Sequence, residues 1–286
     1  MKIIDSHVHF FNLAQGDYHW LKPENAPFWP DKALIAKSVN EENLALKGAF
    51  SLAGFVHIEA GYNNQFPWQE IHWLEQSCQL PFRSVAAINL TLPSAVFADH
   101  IKQLLGYSSV VGCRHLLDEQ ALSLLTNLQV QKNFAVLNAN HLTFDVQMPF
   151  SNLQAVNALN HVINNNPNIQ FIINHAGMPP STTMADTSAT SLWYQGLAII
   201  AQHRNVAIKC SGWEMINRHY QAHWCEHIIN HCLTLFGFSR VMLSSNFPLT
   251  LLSANYQHYW ETILQLPLKN LTDLSYKNSK TWYKIS

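Results

Sequence analysis

Polar side chains that could do chemistry stand at the ends of several apolar runs in this chain. The first run ends in His7 and His9, with one residue between them. Side chains two apart in a strand point to the same face, so both imidazoles can face a single point. Converging imidazoles suit a metal ion or a bound carboxylate. We therefore predict that His7 and His9 belong to a site, as ligands of a metal ion or as partners of a bound carboxylate.

Two further runs add ionisable groups of opposite charge. One ends in the word HIE, His57 to Glu59, and a later one contains Arg114 followed by His115. A carboxylate can act as a general base or fix an imidazole tautomer. A guanidinium suits a substrate carboxylate or a developing oxyanion. An ion pair between Glu59 and Arg114 is the structural alternative, since a buried carboxylate needs a partner.

The last runs end in isolated polar side chains. His175 follows the apolar letters FII and Asn174, Lys209 stands near the end of the next run, and Asn246 lies in the word SSNFP. An amide has one carbonyl acceptor and two donor hydrogens, and it does not take a proton from water near neutral pH. Asn246 can therefore orient a water molecule, but it cannot be the base that activates one.

One architecture must bring these polar ends together. Short apolar runs alternate with longer helical patterns, and we predict strands at Lys2–Phe10, Ser51–Glu59, Arg83–Leu90, Val110–Leu117, Phe134–Asn140, Ile169–Gly177, Val206–Gly212 and Val241–Phe247. Continuous apolar strands with helices between them indicate a parallel sheet covered on both faces. Eight such units predict an α/β fold, a single-domain (β/α)8 TIM barrel over residues 1–286, with the polar strand ends around its mouth. A doubly wound sheet is disfavoured because no G-x-G-x-x-G follows the first strand.

Two other segments could bear on function. The connection Asn12–Leu46 is long and holds Trp20 and Trp29, so we expect it to shape or cover the barrel mouth. Histidines recur at every fourth residue at His223, His227 and His231, which can bind zinc on a helix. They precede the eighth strand, away from the strand ends, and we interpret them as a helix face packed on the barrel.

Composition narrows the class of partner. The net charge is −1 and charged residues make up only 12% of the 286, without a basic block, which argues against nucleic acid or an anionic membrane as partner. The low charge favours self-association, so we expect a homo-oligomer. Five cysteines without a CxxC indicate reduced thiols and a cytoplasmic location. No apolar run approaches the ~18 residues of a membrane span, and no signal peptide is recognisable.

Taken together, the sequence resembles the amidohydrolase superfamily, in the amidohydrolase-related branch that contains sugar lactonases and 2-pyrone-4,6-dicarboxylate lactonase. The words that carry the resemblance run in order through the chain: IIDSHVHFFNLAQGDYHWL (3–21), FVHIEAG (55–61), VVGCRHLL (110–117), FIINHAGMPP (171–180), VAIKCSGW (206–213) and RVMLSSNFPL (240–249).

The resemblance implies a hydrolytic site at the strand ends of a TIM barrel. His7 and His9 match the H-x-H of the family, and His175 matches the histidine of its DH-x-G-x-P word, as a catalytic residue. The eighth strand of this branch usually carries an aspartate as the base that activates water, and Asn246 stands in its place. Residues assigned to substrate binding are His57, Arg114, His115 and Lys209.

Three functions follow as hypotheses. The first is a hydrolase of a lactone or related cyclic ester, in which Glu59 or His175 replaces the missing base. The second is an impaired homologue that binds the ligand without turning it over, and the third is a metal-dependent decarboxylase. The expected ligand is a small molecule, anionic or sugar-like, and the expected cofactor is zinc or manganese, although some members of the branch work without a metal.

Overall fold

Eight parallel strands in sequence order form the sheet of this protein, which a computed structural model describes over residues 1–181 and 187–286. Their bounds are Lys2–Val8 (β1), Ser51–Ile58 (β2), Phe82–Ala87 (β3), Val110–Arg114 (β4), Thr143–Val146 (β5), Gln170–Ile173 (β6), Val206–Cys210 (β7) and Val241–Leu243 (β8). Beyond β8, Phe247 bridges in parallel to Val8, and its carbonyl oxygen accepts a hydrogen bond of 2.7 Å from the amide of His9. The sheet is therefore a nearly closed barrel, which confirms the predicted TIM-barrel fold.

Helices follow the strands and pack against the outside of the sheet. The α-helices are Trp68–Ser77 (α1), Ser94–Leu104 (α2), Ala121–Leu125 (α3), Leu128–Ala139 (α4), Leu153–Asn165 (α5), Thr187–Ala201 (α6), Trp213–Ile216 (α7), Ala222–Phe236 (α8), Tyr256–Leu264 (α9) and Asn278–Trp282 (α10). Shorter 3-10 helices are His19–Leu21, Lys32–Leu34, Glu41–Leu44, Asp118–Gln120, His175–Gly177 and Leu249–Leu252, and Asp273–Lys277 is a π-helix. Within the described residues, no helix combines the length and apolar character that crossing a bilayer requires.

The predicted fifth strand is wrong in position. Residues 134–140 lie mainly in α4, which begins after Asn127, whose side chain accepts hydrogen bonds from two backbone amides of the first turn. The buried residues of α4 are spaced at helical intervals: Val130, Asn133, Phe134 and Leu137. The real strand, β5, has only four residues and carries Asp145 at its centre, so it lacks the apolar run by which the other strands were recognised.

The end of the chain closes the amino-terminal end of the barrel. Tyr283 and Ile285 join an interior apolar cluster with residues from six of the strands: Ile4, Val56, Ile58, Val85, Ile172, Ala207 and Met242. Arg83, near the start of β3, donates a hydrogen bond to the carbonyl oxygen of Lys284. Because this end of the barrel is filled, access to the interior is from the carboxyl ends of the strands.

The long connection after β1 folds over those carboxyl ends. It is anchored by an antiparallel bridge between Phe11 and Val39 and by the indole of Trp20, which donates to the carbonyl oxygen of Ala60 at 2.8 Å. A partly buried ion pair of 2.7 Å joins Asp31 to Arg218 of the loop after α7. The connection therefore packs its aromatic residues against the mouth of the barrel, as predicted.

Candidate active site

A cavity of about 460 Å³ lies where the carboxyl ends of the strands meet the first long connection. Its polar lining includes His9, Glu59, Arg114, Gln147, His175 and Asn246, and its more apolar lining includes Trp20, Pro27, Trp29, Leu116, Met215 and Leu249. A small ligand that is polar at its edge and apolar on one face would match such a lining. The cavity therefore brings five of the predicted site residues into one wall.

His7 and His9 converge as their spacing predicted. Their Nε2 atoms are 3.2 Å apart, and Nδ1 of His9 lies 2.8 Å from the carbonyl oxygen of Ile58. Burial lowers the pKa of both imidazoles well below the usual value, so both are neutral. His9 must donate from Nδ1 to the carbonyl, which leaves its Nε2 as the acceptor of a hydrogen bond from Nε2 of His7.

That assignment fixes the other side of His7. Its Nδ1 is then an acceptor, and Nζ of Lys209 lies 3.4 Å from it. Lys209 also forms a fully buried ion pair of 2.6 Å with Asp145, whose carboxylate in turn accepts a hydrogen bond from the hydroxyl of Tyr283. A continuous polar chain therefore supports the two histidines from the barrel interior.

This hydrogen-bond arrangement does not fit a metal ion. Coordination by both Nε2 atoms needs two free lone pairs, whereas Nε2 of His7 carries a hydrogen while Lys209 donates to its other nitrogen. No group of three histidine, cysteine, aspartate or glutamate side chains that could hold a metal occurs among residues 1–181 and 187–286. Zinc sites ordinarily need at least three protein ligands. In this arrangement His7 and His9 alone therefore do not form a metal site.

His175 lies beside the pair, with its ring centroid 4.6 Å from that of His7. Its Nδ1 is 3.1 Å from the hydroxyl of Ser211. Gly212 makes room for this contact, because a Cβ atom there would lie 2.4 Å from Nδ1 of His175. Burial and the charge of Arg114 lower the pKa of His175 to about 3, so the imidazole is neutral and weakly basic.

Glu59 and Arg114 form the predicted ion pair within the cavity wall. Nε and Nη2 of Arg114 both lie 2.8 Å from Oε1 of Glu59, and Nη1 donates to the side-chain oxygen of Gln147 at 3.1 Å. Burial raises the pKa of Glu59, although the guanidinium opposes that rise. The pair thus leaves the second carboxylate oxygen of Glu59 without a hydrogen bond to Arg114.

Asn246, three residues beyond the end of β8, lines the same cavity and adopts the left-handed region of the backbone with φ of 59°. Asparagine tolerates that conformation better than most residues. Its Nδ2 lies 2.5 Å from Oε1 of Glu214, a fully buried carboxyl on α7. Burial raises the pKa of Glu214 to about 7.

Three residues assigned to substrate binding are not part of this cavity wall. Lys209 is fully buried against Asp145, and His57 is fully buried with its Nε2 3.1 Å from the carboxylate of Glu70. His115 lines an adjoining cavity of about 280 Å³, which shares Glu59 and Arg114 with the first. Lys209 and His57 therefore lie beneath the cavity wall and do not face a ligand in it. Of the three, only His115 can contact a ligand, one that extends into the adjoining cavity.

Sequence reasoning missed Glu214, Asp145 and Gln147. Asp145 and Gln147 were missed because the fifth strand was predicted in the wrong place: Asp145 lies within β5, and Gln147 directly follows it. Glu214 directly follows the word VAIKCSGW (206–213). Its position just beyond the predicted seventh strand was the signal that could have identified it.

The histidines of α8 lie away from the cavity, as expected from their position before β8. Nε2 of His227 and Nε2 of His231 are 3.0 Å apart on the outer part of the helix, and His231 also contacts the ring of Tyr194. Two imidazoles can share one hydrogen in this way. The contacts agree with the interpretation of a helix face.

Relatives of known sequence or structure agree with this description. An uncharacterized protein y4mH of Sinorhizobium fredii is 24% identical over 99% of this chain and 98% of its own length. The L-fucono-1,5-lactonase of Burkholderia multivorans is 24% identical over 88% of this chain and 84% of its own. The crystal structure of a Burkholderia multivorans amidohydrolase with bound zinc superposes with a TM-score of 0.79 at 18% identity, covering all of both chains.

The likeness to the crystal structure concerns the fold, whereas the family model concerns the sequence itself. The model described as amidohydrolase matches residues 4–285, from the first strand to the last residues that close the barrel. The chain belongs to the amidohydrolase family.

Proposed function

We propose that this protein hydrolyses a lactone, or a related cyclic ester, of a sugar acid. The observation that carries the proposal is the cavity wall in which the Glu59–Arg114 pair, His175 and Asn246 face apolar side chains of the first connection. A carboxylate to accept a proton and several donors to hold oxygen atoms are what attack by water on an ester requires. The similarity to an L-fucono-1,5-lactonase supports the same reaction class.

Glu59 is the better candidate base of the two predicted ones. His175 has a pKa of about 3, which makes its imidazole a weak acceptor of a proton. Glu59 has a pKa raised by burial, and one of its oxygens has no bond to Arg114. General bases are more effective as their pKa approaches the working pH. Glu59 thus takes a proton from water in the proposed reaction.

The reaction proceeds by addition and elimination at the ester carbon. The water oxygen forms a bond to the lactone carbonyl carbon while Glu59 accepts a proton from that water. Arg114 and the neighbouring polar groups donate to the oxyanion of the tetrahedral intermediate. The bond from carbon to the ring oxygen then breaks, and the ring oxygen receives the proton held by Glu59. The product is the open-chain hydroxy acid.

The charge of the wall favours a sugar-like substrate over an anionic one. Arg114 is paired with Glu59, Asp118 adds a carboxyl, and His9 and His175 are neutral, so the charged groups of this wall have no excess of positive charge. A dicarboxylate such as 2-pyrone-4,6-dicarboxylate would meet two acidic side chains and one guanidinium whose charge Glu59 already compensates. Like-charge contacts of this kind disfavour binding.

A panel of lactones tests the proposal. Neutral five- and six-membered aldonolactones and 2-pyrone-4,6-dicarboxylate would be compared by proton release in a weakly buffered indicator assay, with no-enzyme rates subtracted. We expect kcat/KM for the best aldonolactone to exceed that for the dicarboxylate at least tenfold, or about 1.4 kcal/mol. No hydrolysis of any lactone by a protein that is folded by circular dichroism would overturn the proposal.

Ligand binding without turnover is the second candidate, and Asn246 is the observation that favours it. An amide stands where the family carries the acid expected to activate water, and losing a base costs a factor of about 10² to 10⁴. An aldonolactone that raises the melting temperature without being hydrolysed would support this candidate over the first.

A further inference from the structure

Glu214 is a buried carboxyl that the proposed reaction has not yet used. It lies on the short helix α7, directly after β7, and neither it nor Asn246 is exposed to solvent. Its Oε1 is 2.5 Å from Nδ2 of Asn246. A carboxyl therefore stands immediately behind the amide that replaces the acid expected on the eighth strand.

The chemistry of this pair fixes the orientation of the amide. An ionised carboxylate only accepts hydrogen bonds, so it must face the Nδ2 donor of Asn246. The carbonyl Oδ1 then points away from Glu214, and it has no hydrogen-bond partner within the described residues. Asn246 lines the cavity, and Oδ1 is the buried atom of its side-chain amide that lacks a partner among residues 1–181 and 187–286. A buried acceptor without a partner costs stability unless a ligand or water fills the role.

We propose that Glu214 is a positioning residue, which holds the amide of Asn246 so that Oδ1 accepts a hydrogen bond from the reacting water. The inference rests on the proposed lactone hydrolysis. Oδ1 of Asn246 accepts one hydrogen of the water while Glu59 accepts the other, so the water oxygen presents a lone pair to the ester carbon. Asn246 itself gains and loses no proton in this step.

The same pairing gives a physical reason for an amide at residue 246. An aspartate there would place a second carboxyl within hydrogen-bonding distance of Glu214. Two carboxylates in such contact cannot both ionise readily, and one pKa is strongly raised. With Glu214 behind it, an amide at this position keeps an acceptor directed at the cavity without that conflict.

Protonation of Glu214 reverses the arrangement. A protonated carboxyl can donate to Oδ1, which turns the amide and withdraws the acceptor from the cavity. The ionisable groups around Glu214 are Arg218, whose guanidinium favours the ionised form, and Tyr220, Cys225 and Tyr259, whose own pKa values are raised by burial so that they stay neutral. The pKa of Glu214, raised by burial to about 7, places the change near neutral pH.

Two substitutions of Glu214 separate positioning from simple packing. In Glu214→Gln the side-chain oxygen can still accept from Asn246, whereas in Glu214→Met no acceptor remains. On the best lactone at pH 8, we expect Glu214→Gln to keep kcat within about threefold, and Glu214→Met to lose about tenfold or more in kcat with KM within about twofold. The wild type should lose activity as the pH falls through 7, and Glu214→Gln should lack that part of the profile.

An NMR measurement tests the same contact without any substrate. In protein labelled with ¹⁵N-asparagine, the side-chain resonance of Asn246, assigned by its loss in Asn246→Ser, should shift with pH around 7 in the wild type and stay constant in Glu214→Gln. A side-chain resonance of Asn246 that is the same in the wild type and in Glu214→Met at pH 8 would overturn the positioning role, whatever the kinetics. If lactones are hydrolysed and both variants behave like the wild type, the inference fails and the proposed function stands. If no lactone is hydrolysed, the proposed function fails, and the side-chain resonance of Asn246 still decides whether Glu214 orients that amide.

Discussion

Asp145 and Lys209 form an ion pair of 2.6 Å in the barrel interior, and neither side chain is exposed. The ammonium is also 3.4 Å from Nδ1 of His7, so the pair connects the core of the barrel to the histidines at its mouth. Burial lowers the pKa of Lys209 to about 8, while Asp145 opposes the change. The carboxylate thus keeps the ammonium charged at neutral pH, and the ammonium keeps Nδ1 of His7 as an acceptor.

Asp145→Asn should destabilise the protein strongly. Removing one partner of a buried ion pair leaves an uncompensated charge, which costs about 3 kcal/mol or more. The free energy of unfolding by urea at pH 7 measures the loss. Asp273→Asn is the matched control, because the side chains of Asp273 and Lys277 are 34% and 64% exposed and pairs near the surface contribute less than about 1 kcal/mol. Equal losses in the two variants would contradict a stabilising role for the buried pair.

Glu59→Gln should reduce lactone hydrolysis more than His175→Gln does. The glutamine can still accept from Arg114 but cannot take a proton, so we expect kcat to fall by a factor of about 10² to 10⁴. His175 has a pKa of about 3 and is no effective base, so its loss should cost about tenfold through weaker substrate positioning. Initial rates at saturating lactone give both numbers, with exposed Glu42→Gln as the control. A larger loss in His175→Gln would transfer the role of base to the imidazole.

Chelation should leave the lactonase activity within about twofold. His7 and His9 were predicted to bind zinc or manganese, but while Lys209 donates to Nδ1 of His7 the pair offers a single lone pair. The assay compares protein dialysed against EDTA with protein to which one equivalent of zinc or manganese has been returned. If activity disappears on dialysis and returns with the metal, His7 has changed its tautomer and the two histidines are ligands. His9→Ala should then abolish the recovery.

Trp29→Ala should weaken substrate binding with little effect on the chemical step. The indole lines the apolar part of the cavity, and an aromatic face suits the C–H face of a sugar ring. We expect KM to rise about tenfold, equivalent to about 1.4 kcal/mol, with kcat within about threefold. Phe28→Ala is the control, since Phe28 is 75% exposed and outside the cavity wall. Equal effects on KM in both variants would show that the whole connection has shifted.

The fold could be predicted from the sequence because most strands are continuous apolar runs. The exception is instructive: residues 134–140 are apolar enough to resemble a strand, yet their burial follows the period of a helix. The real fifth strand has four residues and a central Asp145, whose charge is tolerated only because Lys209 from β7 lies opposite. A pairing between residues 64 positions apart leaves no local trace in the sequence.

The site was predictable to the extent that its residues end the strands. His9, Glu59, Arg114, His175 and Asn246 do so, and all five line the cavity. Glu214 lies just past such an end, and its contact with Asn246 depends on how the loops after β7 and β8 meet. Likewise, the spacing of His7 and His9 predicts convergence, but their tautomers depend on Lys209 and a backbone carbonyl that the spacing does not reveal.

Glu214→Gln should stabilise the protein relative to the wild type at pH 8 but not at pH 5. A carboxyl whose pKa is raised on folding contributes stability that is complete below its unfolded pKa and is lost as the pH rises through its folded pKa. For Glu214 that window runs from 4.5 to about 7, and the complete change corresponds to about 3 kcal/mol at most.

Because the buried histidines have lowered pKa values, they change stability in the opposite direction and obscure the effect in the wild type alone. The informative quantity is therefore the difference in unfolding free energy between variant and wild type, from urea titrations at pH 5 and pH 8. It should rise with pH, and Asp5→Asn should show the same trend at lower pH, since burial raises the pKa of Asp5 to about 6. If the difference for Glu214→Gln is the same at both pH values, Glu214 ionises as readily in the folded protein as in the unfolded chain. The amide of Asn246 would then keep one orientation across the neutral range.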